Sequence, residues 1–556
     1  MIHHVEVQVL ILLLIASLVG MVARRLRVPY TLALVLAGLA LSFLHLEALS
    51  GLELTPDLLL LLFLPPLLFE AAYHLPFDDL RKNSVHIIYL AIIGVVLAVT
   101  LTGLFTYAGL AALIAGESFG WADAFLFASV IAATDPISVL ALFKEMGAPK
   151  RLYQVVEGES LINDGVAVVI FAIVAAVVGV PVGHVGGHGE LHGFQEVAVF
   201  AVTTFVRTGL GGVLVGAAAG ALASILTRTI DDHLIEITLT TLVAWGSFLI
   251  AEELHVSGVL STVAAGVMMG SFGKVFGMSA STRIAVQDFW EYAGFVSNSF
   301  IFLLIGIELE PSRLAQHLPL IGAGFVAVCV ARAIIVYAGL PLADRFTVPL
   351  PAKWRHVLVW GGLRGSLSMV LILGLPQSYP DRQLLIDLVF GVVALSLFVQ
   401  GLTMAPLMRF LGVSGGDAVA MSRAYEIARG KAVAFRRVLL EADKLLEEGL
   451  LDEASHQRLR AWYESSREAS RVKAKALAGS TAQPERLLEG VKALAVLEKE
   501  AIEHAVHAGV IGAGAGAELM ADLDRRLDGL DRAAHEGETH LLEAFDTYYA
   551  TPDPAE

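Results

Sequence analysis

The sequence predicts an all-α polytopic membrane protein of about thirteen transmembrane helices, with inverted repeats and two broken, crossing helices, followed by a soluble α-helical domain. Three observations carry that prediction. The 556 residues are 56% hydrophobic and 17% charged, with a mean hydropathy of +0.71, which excludes an ordinary soluble domain. Apolar runs of spanning length recur along the first three quarters of the chain. Charge is concentrated at the end: of 38 Lys+Arg and 54 Asp+Glu, 18 and 26 lie beyond position 412, leaving 20 and 28 for the first 412 residues. That shift sets a domain boundary, with a membrane domain over 1–412 and a helical tail over 413–556.

The first apolar run, about 5–22, has no basic region before it and ends in Arg24-Arg25-Leu26-Arg27. A secretory signal has its positive charge first, so this run reads as a first span with the N-terminus outside. Further runs follow at about 28–45, 56–73, 84–112, 121–143, 152–180, 196–227, 234–253, 255–272, 286–309, 318–342, 354–376 and 384–411. With the N-terminus outside, the inward loops hold fourteen Lys and Arg residues and the outward loops only Arg313 and Arg382. That bias places the C-terminal tail in the cytoplasm and the chain in the plasma (inner) membrane.

Two spans carry groups that a purely structural helix has no reason to carry. In the fifth, Thr134-Asp135-Pro136 interrupts the apolar run 122–143. Pro136 removes a backbone donor and disfavours helix at Asp135, so the helix should break there. In the twelfth, Gly361-Gly362-Leu363-Arg364-Gly365-Ser366 brings three glycines and an arginine into the run. The fifth and twelfth spans are seven apart, an odd number, so equivalent helices run in opposite directions, as an inverted repeat requires. Between them the sixth span opens with Glu157-Gly158-Glu159-Ser160-Leu161-Ile162-Asn163-Asp164 and continues without a charge to about 180. An acidic residue near the middle of a spanning helix costs about 2.5–3.5 kcal/mol on insertion scales, which marks a functional site. Together these interruptions imply a cation site inside the membrane. An unpaired Arg364 at that depth is expensive, so it is expected to face a carboxylate.

The remaining features point elsewhere or nowhere. The single cysteine, Cys329, excludes an intramolecular disulfide and a cysteine-based metal site. His184, His188 and His192 recur every fourth residue, but among glycines that disfavour helix, so their imidazoles are not expected to align on a metal. The tail reads as amphipathic helices at 424–450, 453–478, 484–510 and 518–549. Its His535-Glu536-Gly537-Glu538-Thr539-His540 has one residue too many between the histidines for a zinc-protease helix. The chain has no phosphate-binding Gly-x4-Gly-Lys-Ser/Thr loop, and its acidic balance gives no nucleic-acid surface. No cofactor is implied, and no motif names a ligand or partner for the tail, which is read as regulatory on position alone.

The combination of Thr134-Asp135-Pro136, the 158–165 motif, Phe302-Leu303-Leu304-Ile305-Gly306-Ile307-Glu308-Leu309 and Gly361-Gly362-Leu363-Arg364-Gly365 resembles the cation/proton antiporters that include the sodium/proton exchangers (the NhaP-like group). Leu64-Pro65-Pro66-Leu67-Leu68-Phe69-Glu70 and Ala251-Glu252-Glu253-Leu254-His255-Val256-Ser257-Gly258 are similar to that family too. The resemblance covers about residues 5–411 and leaves out the tail. It implies a secondary transporter, not an enzyme, usually a homodimer in the membrane lipid. It implies that Asp164 carries a cation and a proton in turn, with Ser160 and Thr134 near the ion, and that Glu159 pairs with Arg364.

The residue chemistry is compatible with this. Sodium, lithium or potassium wants oxygen ligands, which Asp164, Ser160, Thr134 and carbonyls freed at the break supply. Asn163 stands where a second aspartate would titrate, so one exchangeable charge favours one proton per cation and an electroneutral cycle. Helix-to-helix hydrogen bonding is the lesser alternative for Ser160 and Asn163. Asp135 suits either the ion or the N-cap of the following half-helix. The resemblance implies Glu252 near an access pathway, although its place close to a span end also suits a solvated side chain, and Glu70, like Glu308, reads as structural or as lining the vestibule of that pathway. Potassium/proton exchange, a cation channel and an intramembrane aspartyl protease are the competing readings. A channel needs a filter that the sequence lacks, and a protease has no use for Arg364 or Asn163.

Overall fold

A computed structural model describes residues 2–26, 29–44, 58–113, 119–135, 137–180, 194–227, 232–274, 278, 280–413, 416–447, 451–478 and scattered positions between 498 and 530. Pro136, the histidine-rich stretch 183–193 and the 535–540 motif lie outside the described residues. Every regular element among those described is helical, and helix occupies each apolar run read from the sequence. The chain divides into two compact units, Met1–Gly416 and Asp417–Glu556.

In the first unit the helices are α1 (Ile2–Leu26), α2 (Tyr30–Leu44), α3 (Leu64–His74), α4 (Phe77–Lys82), α5 (Ser84–Ile88), α6 (Gly94–Leu113), α7 (Trp121–Ile131), α8 (Ile137–Met146), α9 (Lys150–Val177), α10 (Phe194–Thr227), α11 (His233–Glu253), α12 (Gly258–Met268) and α13 (Ala280–Glu308). They continue as α14 (Pro311–Gln316), α15 (Leu318–Ile334), α16 (Leu340–Ala343), α17 (Ala352–Trp360), α18 (Ser366–Leu373), α19 (Arg382–Leu395) and α20 (Gly401–Leu411). Wider i→i+5 turns join several of these, so that α15–α16 and α19–α20 run as continuous rods. Among the described residues, eight helical runs are long and apolar enough to cross a membrane: 7–25, 84–109, 150–177, 195–227, 233–253, 282–308, 318–343 and 382–411.

Small residues let the rods approach closely. At the crossing of α2 and α13, a Cβ on Gly38 would lie 2.2 Å from the Leu303 carbonyl oxygen, and one on Gly306 2.3 Å from that of Val35, so only glycine fits. Aromatic packing fixes a second group of helices. Trp290 on α13 is fully buried, packs in a tilted arrangement with its ring centroid 4.4 Å from that of Phe69 on α3, and donates its indole N–H to Thr240 Oγ1 of α11 at 3.1 Å.

The two expected breaks are present. The chain is non-helical over 132–135 between α7 and α8, and over 361–365 between α17 and α18. The unwound segments meet: Asp135 N–H donates to the Leu363 carbonyl at 2.8 Å. Broken spans survive in a membrane interior only where the freed backbone finds partners, and here each break supplies some of the other's.

In the second unit, α21 (Gly416–Glu447) and α22 (Glu453–Ala478) form a helical hairpin. Asp452 accepts the Ser455 N–H at 2.9 Å and caps the start of α22. Asp443 meets His456 Nε2 at 2.8 Å and Arg460 Nη1 at 3.0 Å, and Phe435 packs against Trp462 and Tyr463. The third and fourth tail helices read from the sequence fall mostly outside the described residues.

Candidate ion-binding site

The crossing of the two breaks is set by a residue choice. Gly365 is extended (φ −130°, ψ −163°), and a Cβ built on it would fall 2.2 Å from Asp135 Cβ. No side chain fits, so glycine at 365 permits the contact of the two strips. The backbone ends are then satisfied one by one. Asp135 Oδ1 accepts the Ile137 N–H at 2.9 Å, so this carboxylate caps α8, the second of the two roles its position allowed. Its other oxygen, Oδ2, is buried and has no hydrogen-bond partner.

Opposite the break, α9 presents three polar side chains in succession. Ser160 Oγ donates to the Thr134 carbonyl oxygen. Asn163 Nδ2 donates to Thr134 Oγ1 at 2.9 Å and to the Ala132 carbonyl at 3.3 Å. One helical turn on from Ser160 comes Asp164, half-buried, with no protein group hydrogen-bonded to its carboxylate among the described residues. The structure therefore brings Thr134, Asp135, Ser160, Asn163 and Asp164 together, and ties four of them while leaving the fifth open.

That open carboxylate faces space. A cavity of about 400 Å³ is lined at one end by Thr134, Asp135, Ser160 and Asp164, and continues past Glu70, Tyr153 and Glu157 to His74, Lys144 and Glu291. Glu70 thus sits along the cavity. Glu252 does not line it; Glu252 Oε1 accepts the Gly258 N–H at 3.1 Å and so fixes the turn between α11 and α12, where His255 adopts φ +57°. Its place at a helix end explains the difference, because freed N–H groups at the next helix start are the nearest donors.

The expected pair of Glu159 and Arg364 is replaced by another. Glu159, 2% exposed, accepts two bonds from Arg332 on α15: Nη1 to Oε1 at 2.5 Å and Nη2 to Oε2 at 2.9 Å. Arg332 Nε also donates to the Leu358 carbonyl at 3.2 Å. Arg364, also buried, donates Nη1 to the Ala132 and Ala133 carbonyls at 2.9 and 3.3 Å. The reason is geometric. The unwound end of α7 exposes carbonyl oxygens at the negative end of a half-helix, and a guanidinium reaching them finds acceptors for Nη1 without a carboxylate, while its Nε stays buried without a partner among the described residues. Sequence reasoning missed Arg332. Its signal was available: a lone charge in the apolar run 318–342, subject to the same rule that singled out Arg364.

Chemically, the site offers one free carboxylate, hydroxyl and carboxyl oxygens beside it, and an open path to the end of the bundle. Helices broken at mid-membrane around such a carboxylate define a secondary transporter class, in which a small cation meets oxygen ligands at the repeat interface. Comparison with known proteins agrees in fold and in sequence. The family described as "Sodium/hydrogen exchanger, transmembrane" matches residues 11–410, and the chain belongs to it. The chain is 41% identical over 411 residues to the Na(+)/H(+) antiporter ApNhaP of Aphanothece halophytica, covering 73% of this chain and 74% of that one. It is 39% identical over 426 residues to the low-affinity Na(+)/H(+) antiporter NhaS1 of Synechocystis sp., over 75% and 76% of the two chains. The fold is similar to that of the sodium proton antiporter MjNhaP1 of Methanocaldococcus jannaschii, with TM-score 0.57 at 16% identity, over 74% of this chain and 97% of that one.

Proposed function

We propose that this chain is a secondary antiporter that exchanges Na+ for H+ across the plasma membrane by alternating access. The observation that carries the proposal is the isolation of Asp164. Its neighbours Thr134, Asp135, Ser160 and Asn163 are held by one another or by backbone, whereas its own carboxylate opens on the cavity. A cation and a proton compete for those oxygens, and that competition couples the two fluxes. Family membership supports the reading, as do relatives named Na(+)/H(+) antiporters. Thr134 and Ser160 are assigned as further oxygen ligands of the cation, and Glu159 with Arg332 as the ion pair that holds α9 to α15. Thirteen crossings, an outside N-terminus, a homodimer and a cytosolic regulatory tail complete the proposal, with roles in pH and sodium homeostasis. On that orientation the cavity opens to the cytoplasm.

The test is dequenching of a pH-sensitive dye in energised everted vesicles, with Na+, Li+ and K+ added in turn. Recovery with Na+ in cells lacking other exchangers is the expected result. Recovery with K+ alone would make this a potassium/proton exchanger. Because Asn163 adds no second titrating group, the cycle is electroneutral, and clamping the potential with valinomycin and K+ should leave the initial Na+-driven rate unchanged.

A further inference from the structure

A second concave site lies away from the ion pathway, between α17, α20 and the wide turn at 335–339 that joins α15 to α16. It is a groove of about 520 Å³, within the size range of small-ligand sites. Val359, Trp360, Leu407 and Leu411 give it apolar walls, and Phe410, 87% exposed, stands beside it. Two polar pairs line it: Tyr337 Oη with His356 Nδ1 at 2.6 Å, and Trp360 Nε1 donating to Thr403 Oγ1 at 2.7 Å. The phenol bond uses one imidazole nitrogen. When Tyr337 donates, His356 Nε2 carries the ring proton and is a donor without a protein acceptor.

The rim at this end is basic. Lys353 is one turn before His356 on the same helix face, and its ammonium reaches to 3.8 Å from where a Cβ on Gly412 would stand. Lys353 is exposed and has no ion-pair partner among the described residues. An apolar, aromatic-walled groove on the outside of a membrane bundle, closed at the level of the helix ends by a free cation and a donor, matches one occupant in shape and charge. We propose that the groove binds an anionic phospholipid, its acyl chain along Leu407 and Trp360 and its phosphate at Lys353 and His356. An inorganic phosphate would leave the apolar walls bare, and a zwitterionic lipid would bring its own cation to the basic rim.

The full chain in detergent tests this by thermal melting with phosphatidylglycerol, with phosphatidylcholine of the same acyl chains, and with inorganic phosphate. Phosphatidylglycerol should raise the melting temperature by several degrees more than phosphatidylcholine, and Lys353→Gln should remove most of that excess while leaving the phosphatidylcholine effect. A second reading needs no rim variant. Phosphatidylglycerol with brominated acyl chains should quench tryptophan fluorescence more than its phosphatidylcholine counterpart, and Trp360→Phe, one tryptophan of six, should abolish the difference. An undiminished excess in Lys353→Gln, a full shift with phosphate alone, or an unchanged difference in Trp360→Phe would overturn the proposal. So would efficient disulfide cross-linking of two copies through Phe410→Cys in a Cys329→Ser background, which would make the groove a protein interface.

Discussion

Truncating Arg332 to alanine removes two bonds to Glu159, at 2.5 and 2.9 Å, and one to the Leu358 carbonyl at 3.2 Å. It also strands Glu159, which is 2% exposed. A hydrogen bond to a charged group is worth about 1.5–3 kcal/mol, and breaking a buried ion pair from one side costs about 3–5 kcal/mol. Arg332→Ala should therefore destabilise by about 3–5 kcal/mol. Arg364→Ala loses contacts to two carbonyls and strands no carboxylate, so about 1.5–3 kcal/mol is expected there. Replacing both partners with apolar side chains of similar size can be nearly neutral, so Glu159→Leu with Arg332→Met should regain most of what either single change loses. The assay is denaturant unfolding in detergent for the singles and the doubles, arranged as a mutant cycle. Strict additivity between positions 159 and 332, or a larger coupling of Glu159 with Arg364 than with Arg332, would refute the assignment.

Two further outcomes follow from single contacts. Gly365→Ala places a methyl 2.2 Å from Asp135 Cβ, so the crossing must open. Overpacking of this kind costs about 1–3 kcal/mol, and transport should fall far more than stability, read by vesicle exchange beside melting. At the end of the bundle, Asp344 supplies a pH test. Burial pushes its carboxyl up, but the bonds from His86 and the Leu350 N–H and the nearby Arg355 guanidinium outweigh this and hold it below the ordinary carboxylate range. A depressed folded value contributes stability above the unfolded value, near pH 3.9, and loses it as pH falls towards the folded one. Melting between pH 5 and pH 3 should thus show wild type losing its advantage over Asp344→Asn, and a constant gap would contradict the assignment.

The places where the helices break were readable because glycine, proline and intramembrane charge act locally. Gly361, Gly362 and Gly365 weaken helix wherever they stand, and a charge such as Asp164 in an apolar span calls for a reason before its partners are known. Partner choice was not readable, because it depends on which groups the fold brings within 3 Å. An arginine needs acceptors, and a sequence shows carboxylates but hides carbonyls: Arg364 was assigned to Glu159, while its acceptors are Ala132 and Ala133, freed by unwinding. For the same reason the capping role of Asp135 is visible only in the 2.9 Å bond from Ile137 to Oδ1, which leaves Oδ2 beside the cavity for an ion. Glu252, similar in sequence context to an access-path residue, spends its carboxylate on Gly258.

The shared carboxylate is tested most directly by measuring Na+ uptake and proton efflux together in proteoliposomes, for wild type and Asp164→Asn, with protein content and melting matched. The amide keeps the size of the side chain but can neither release a proton nor carry the charge that holds a cation. Uptake and efflux should be coupled in the wild type and both absent in the folded variant. Sodium-driven proton movement at the wild-type rate in Asp164→Asn would contradict the assignment of Asp164 as carrier.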